Sequence, residues 1–170
     1  MKPRIVVSDT TAIIHLSRIN ALDLLRQLYM TIVVPDAVYQ ELVANGPDQP
    51  GAKEVATSRW IQRRTVTDLD AVRELSAHLD PGECEAIVLA QEMGADLLII
   101  DEKLGRDHAR RRGLTIIGMI GILIGAKQSG RIPRIRPYLD ALVSTKLELS
   151  PALYQQALHA AGEQTSEKKA

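Results

Sequence analysis

The chain has 170 residues, a formal net charge of zero and one cysteine, Cys84, which excludes an intramolecular disulfide framework and a multi-cysteine zinc site. Its 45 % hydrophobic and 25 % charged residues suit a single globular domain. With only 3 % aromatics and no Phe, the core must come from Leu, Ile, Val and Ala, and platforms for base stacking are scarce.

In chain order, "RIVVS" (4–8) reads as a short buried strand that ends at Asp9. Thr10 and Thr11 are expected to cap the helix over "AIIHLSRI", and Asn20 the helix over 20–28. "TIVV" (31–34) is a second strand, and "PDAVYQELVANG" a helix with Pro35 near its start and Asn45-Gly46 as its stop. A loop, a short helix and a strand in "WIQRRTV" follow, then an amphipathic helix in "DLDAVRELSAHL" ended by "DPG" (80–82). "GECEAIVLAQEMG" (82–94) is helical, and "DLLII" (96–100) is a strand ending at Asp101. "EKLGRDHARRRG" reads as helix, "LTIIG" as strand and "IGILIGAKQSG" as helix. Two more helices are expected near 134–144 and 151–162, the second opened by Ser150-Pro151, with residues 163–170 as a disordered tail.

Strands alternating with helices predict an α/β domain with a mainly parallel sheet, spanning residues 1–162 with the last two helices as an appendage. The longest uncharged apolar run, "GLTIIGMIGILIGA", has 14 residues, too few to cross a bilayer as a helix. "MKPRIVVSD" turns polar too soon for a secretory signal, so a soluble, cytoplasmic protein is expected.

The charges are unevenly spread. Residues 1–102 carry 16 acids against 9 Lys and Arg, whereas residues 103–136 carry one acid against 9 bases. This is the pattern of a metal-binding face beside a polyanion-binding face, or of solvated helix surfaces. Function in parallel sheets collects at the carboxyl ends of the strands, and two predicted strands end on aspartate, so Asp9 and Asp101 are candidates for one site. Glu41, Glu83 and Glu85 lie within otherwise apolar helices. Glu83 and Glu85 are two apart and cannot share a helix face; Glu83, nearer the N-terminus, reads as a cap or an auxiliary group, and Glu85 as the one facing a neighbouring element. Taken singly, each acid also reads as a cap or half of a salt bridge. Gathered together, they would need cations, and oxygen-only ligands select Mg²⁺ or Mn²⁺.

Four stretches in order, "VVSDTTAIIHLSRI", "VVPDAVYQELV", "LDPGECEAIVLA" and "LLIIDEKLGRDHARRRGL", continuing through "IIGMIGILIGAKQSGRI", resemble the PIN-domain family of metal-dependent nucleases over residues 4–160. The nearest likeness is to its PIN-like branch of predicted nucleic-acid-binding proteins. The resemblance implies an α/β/α sandwich with an acidic pocket at the carboxyl edge of the sheet. It carries the acidic positions onto Asp9, Glu41, Glu85 and Asp101 as catalytic and metal-binding residues, with Thr10 as a hydroxyl helper. It implies endoribonuclease activity with Mg²⁺ or Mn²⁺, RNA as partner and, as in many relatives, a toxin paired with an antitoxin protein, often dimeric. The chain departs from the commonest pattern at Glu85, where Asp is usual, and at "IDEKLGR", where Glu102 or Asp107 could supply a fifth acid. The alternative is a non-catalytic PIN-like module that binds RNA or protein.

Arg106, Arg110, Arg111, Lys127 and Arg131 are the expected phosphate contacts, with a salt bridge to one of the pocket acids as the alternative for Arg106, and such binding would be salt-sensitive. Gly118, Gly121 and Gly125 read as close helix packing, because they match neither a dinucleotide nor a P-loop pattern. Cys84 reads as a buried thiol and His15 as a core or satisfied histidine. His78, His108 and His159 lack paired ligand spacing. Trp60 and Tyr39 read as packing anchors.

Overall fold

The computed structural model describes residues 2–44, 46–145 and 147–163; Asn45 of the expected helix stop and residues 164–170 of the expected tail lie outside them. Five strands, β1 (Val6–Ser8), β2 (Ile32–Pro35), β3 (Ile61–Arg64), β4 (Leu97–Ile99) and β5 (Ile116–Ile117), pair in parallel in the order β3-β2-β1-β4-β5.

Parallel strands buried on both faces favour apolar side chains, and the central strands supply them at all positions but the buried Ser8 that ends β1. Val6, Ile32, Val34, Leu97 and Ile99 enter one core cluster. Val7, Val33 and Leu98 enter the other. The first face is covered by α1 (Thr10–Arg18), α2 (Asp23–Tyr29), α3 (Asp36–Val43), α4 (Ala52–Thr57), α8 (Met119–Gln128), α9 (Arg136–Ser144) and α10 (Pro151–Ala160). The second is covered by α5 (Leu69–Ser76), α6 (Pro81–Met93) and α7 (Lys103–Arg111). The result is the three-layer α/β/α sandwich. Leu139, Leu142, Ala157 and Leu158 belong to the first cluster, so α9 and α10 pack into the domain core rather than hang from it as an appendage.

Local chemistry sets the helix starts, and in three places it differs from the sequence reading. Asp9, not Thr10 or Thr11, caps α1: its Oδ1 accepts from Ala12 N at 3.2 Å. Asn20 does not cap α2 but takes a left-handed turn (φ 55°), and the helix starts at Asp23. Glu163, assigned to the tail, is docked: its carboxylate accepts from Lys127 Nζ (3.1 Å), Ile135 N (2.7 Å) and Arg136 N (3.2 Å). α6 opens with a capping box, in which Asp80 Oδ1 accepts from Glu83 N and Glu83 Oε2 accepts from Asp80 N, with Pro81 in the first turn. Ser150 caps α10 through Leu153 N, as Ser150-Pro151 indicates. No helix among the described residues is long and apolar enough to cross a membrane.

The strand order places the site. From β1 the chain moves outward to β2 and β3, then returns to the far side of β1 for β4 and β5. The direction of winding reverses between β1 and β4, which opens a crevice at their carboxyl ends. Asp9 and Asp101 follow those two ends, and Asp9 N donates to Ile99 O at 3.0 Å.

Candidate active site

Each acid at this edge is held by the N-terminus of a helix, where unpaired N–H groups and the helix dipole favour negative charge. Asp9 sits on α1. Asp101 Oδ1 accepts from Met119 N of α8 at 3.2 Å. Glu41, on α3, accepts from Gly82 N of α6 at 3.0 Å and from the Thr10 hydroxyl at 2.8 Å, so both its oxygens are engaged. Parallel topology brings these helix starts to one edge of the sheet, and local capping and site building are therefore the same event.

What the helix ends do not satisfy is more telling. Asp9 is 1 % exposed and Glu83 5 %, yet Asp9 Oδ2 and Glu83 Oε1 are buried with no hydrogen-bond partner among the described residues. A buried, unpaired carboxylate oxygen is costly unless a proton or a cation meets it. Burial, opposed by the Ala12 N–H and reinforced by Asp101, Glu83 and Asp80, pushes Asp9 up to about 8. Burial and the charges of Asp80, Glu102 and Glu41 push Glu83 up to about 7. Burial also raises Asp101, offset by Met119 N–H, Arg106 and His15. These carboxyls sense one another's charge and form one electrostatic unit.

Three glycines make room for that unit. A Cβ on Gly82 would lie 2.8 Å from Glu41 Oε1, on Gly105 2.9 Å from Glu83 Oε1, and on Gly118 2.6 Å from Asp101 Oδ1. Gly118 therefore serves the site and not helix packing; Gly121 does pack closely, against Ile117, while Gly125 faces open space.

The placement of the expected residues differs in four respects. Glu85 turns away from the group and accepts from Ala37 N at the start of α3, 3.1 Å away, whereas Glu83 takes the buried place beside Asp9. Lys127 is not free for phosphate: its Nζ donates to Ala161 O (2.6 Å) and to Glu163. Arg110 pairs loosely with Asp107 at 3.5 Å, while Arg111 and Arg131 are exposed. Arg106 is the arginine beside the site, with Nη1 2.9 Å from where a Gly118 Cβ would stand and its charge acting on Asp101. His15 is only half-buried, and its Nδ1 has no partner among the described residues.

Other expectations hold. Cys84 is fully buried and its thiol is pushed up to about 11, chiefly by burial, so it is a poor nucleophile. Trp60 and Tyr39 pack against the larger core cluster, and the Arg63 guanidinium lies 4.2 Å over the Tyr39 ring. His78 and His108, thirty residues apart, stack at 5.5 Å, a contact that no local spacing announces.

Among the described residues no three His, Cys, Asp or Glu side chains are arranged to hold a metal ion as they stand. The donor chemistry nonetheless fits a hard cation: all-oxygen, negatively charged and left with two buried oxygens unpaired.

An α/β/α sandwich with carboxylates gathered at the topological switch point of a parallel sheet defines an α/β protein with an acidic site. A family model described as a PIN domain matches residues 5–163, and the chain belongs to that family. No curated protein matches the chain. PIN domains are generally nucleases that use divalent metals, which is the chemistry the acidic edge suits.

Proposed function

We propose that the chain is a metal-dependent endoribonuclease that hydrolyses RNA phosphodiester bonds to leave a 5′-phosphate and a 3′-hydroxyl. The observation that carries this is the pair of buried, unpartnered oxygens, Asp9 Oδ2 and Glu83 Oε1, within a cluster of mutually repelling acids. Asp9, Glu83 and Asp101 would hold Mg²⁺ or Mn²⁺, with Glu41 nearby. Such an ion lowers the pKa of water and offsets charge developing on the phosphate.

The chain's own groups supply the rest. Glu41 fixes Thr10 and the α6 N-terminus by accepting from both. Met119 N–H and the close approach of Gly118 hold Asp101 in one orientation. Arg106 brings positive charge next to Asp101 and suits a phosphate arriving there. Glu85 positions α3 rather than touching the reacting atoms.

Cytoplasmic location, an antitoxin protein as partner and a second copy of the chain belong to the same proposal. The decisive experiment incubates purified protein with a mixed single-stranded RNA pool in Mn²⁺ or EDTA, alongside Asp9→Asn. Cleavage by wild type in Mn²⁺ alone is expected. RNA binding that ignores metal and survives Asp9→Asn, with no cleavage, would establish the non-catalytic module instead.

A further inference from the structure

A cavity of about 250 Å³ opens directly beside Asp101. α1 contributes His15 to it, α8 contributes Met119 and Ile120, and Leu142, Leu147 and Leu149 close the far wall. Its size falls just below the ~300–1,000 Å³ of sites for drug-sized ligands. It suits one flat ring system. The walls are largely aliphatic, while the polar groups are few: Asp101 and Glu102 where the cavity meets the acidic site, Glu148 on the strap after α9, and Thr11 and His15 from α1. His15 lines the cavity, so a group entering it meets an imidazole that can donate or accept a hydrogen bond.

We propose that this cavity takes the unstacked nucleobase adjoining the scissile phosphate, and that His15 is a specificity-determining residue that reads it. The inference rests on the ribonuclease reading, and three observations lead to it. The cavity shares Asp101 and Glu102 with the acidic site, so a strand whose phosphate lies there places a neighbouring base within one nucleotide's reach. The surrounding carboxylates repel a second phosphate but accept from ring N–H and exocyclic amino groups. Apolar side chains clasping a base face replace the aromatic platforms that the chain lacks.

Two readouts test it separately from the nuclease reading. The first cuts RNAs carrying a single abasic position walked along the strand. Loss of the base at one fixed position from the cut is expected to raise KM at least tenfold for wild type. It should change nothing for Leu153→Trp, which fills the rim from a side chain that is 42 % exposed and so spares the core. His15→Ala should weaken the base preference while abasic RNA is cut as by wild type. The second readout uses Asp9→Asn protein and oligonucleotides with 2-aminopurine at each position. Fluorescence should rise at one position and lose that rise in the Asp9→Asn, Leu153→Trp double variant.

Normal cleavage with no abasic penalty anywhere would overturn the base pocket and leave the nuclease standing. A penalty undiminished in Leu153→Trp would also overturn it, since the base would then be read elsewhere. Absence of cleavage in every metal would sink the nuclease reading, and the 2-aminopurine signal would still decide the cavity. No rise at any position rules out a base there and leaves the space to a peptide side chain.

Discussion

Two places in this protein draw carboxylates out of water, and they are resolved in opposite ways. Glu163 has a side chain only 9 % exposed and meets three donors: the Lys127 ammonium and the N–H groups of Ile135 and Arg136. Burial alone would raise its pKa, but the Ile135, Lys127 and Arg136 hydrogen bonds bring it below the ordinary glutamate value. At the β1–β4 crevice, Asp9 and Glu83 each keep one oxygen unpaired, and both are pushed far upward. A carboxylate satisfied by its own chain is structural. One left short by its own chain is waiting for something from outside, and the difference separates a fold-stabilising strut from a functional centre without reference to any relative.

The largest expected effect comes from removing the demand at the crevice. Asp9→Asn should lower cleavage by about 10³-fold or more, equivalent to about 4 kcal/mol of barrier. The same change should make the metal-free protein more stable at pH 8, because an amide needs no proton to sit beside Asp101 and Glu83. Thermal unfolding in EDTA checks this. If Asp9→Asn destabilises the metal-free protein at that pH, the crevice is another strut and the contrast with Glu163 collapses.

Gly118→Ala should come next, at about 10²-fold in cleavage, since small misplacement of a reacting group is that costly. Gly118 has φ −101°, which alanine adopts freely, so the backbone stays intact while the new Cβ presses on Asp101. Gly125→Ala, with nothing among the described residues within 4 Å of the added Cβ, is the matched control. It should leave cleavage unchanged and strengthen α8 by up to about 1 kcal/mol.

The crevice also predicts a pH dependence with a definite sign. Folded, metal-free protein holds protons on Asp9 (about 8) and Glu83 (about 7) that the unfolded chain releases near 3.8 and 4.5. Folding therefore takes up protons, and stability falls as pH rises from about 4 to about 8. Mn²⁺ should displace those protons, flatten the slope and raise the midpoint of unfolding most at the alkaline end. In Asp9→Asn both the slope and the Mn²⁺ response should shrink. A wild-type curve that is flat in EDTA between pH 5 and 8 would contradict the unpaired state of the crevice.

How much of this was legible in the sequence follows the range of the interactions involved. Apolar runs gave the strands their places, and termination on Asp9 and Asp101 pointed to one carboxyl edge, because both signals are local. The choice between Glu83 and Glu85 was not legible. Glu83, near the start of α6, reads as a cap or an auxiliary group, and it is both: the capping box engages only Oε2 and leaves Oε1 facing Gly105. Glu85 does face a neighbouring element, as its place in the helix indicates, but that element is the start of α3, 48 residues earlier, and not the acidic group. His15 was hidden for a related reason: its apolar neighbours in α1 describe the helix's buried face, while the cavity it borders is closed by residues beyond 140. Glu163, at the head of a charged, low-hydrophobicity end, read as tail because its three donors lie 27 to 36 residues away.

Glu163 supplies the smallest and most discriminating effect. Glu163→Gln keeps the shape, since a single amide oxygen still accepts from one or two of the donors, but it removes the charge that holds Lys127 and the start of α9. Loss of charge-assisted hydrogen bonds here should lower stability by about 1–3 kcal/mol at pH 7. Because the folded pKa of Glu163 is depressed, its contribution is present above the ordinary glutamate range and is lost as pH falls through the folded value, so wild type and variant should converge in acid. This is opposite in sign to the crevice, where acid protects. Cleavage by Glu163→Gln, measured well below its unfolding temperature, should match wild type, and addition of Mn²⁺ should stabilise both proteins equally. If instead the variant loses cleavage or its Mn²⁺ response, the strut and the crevice are coupled through α8, whose N-terminus holds Asp101 and whose last turn carries Lys127. The two acidic places would then be the two ends of one device.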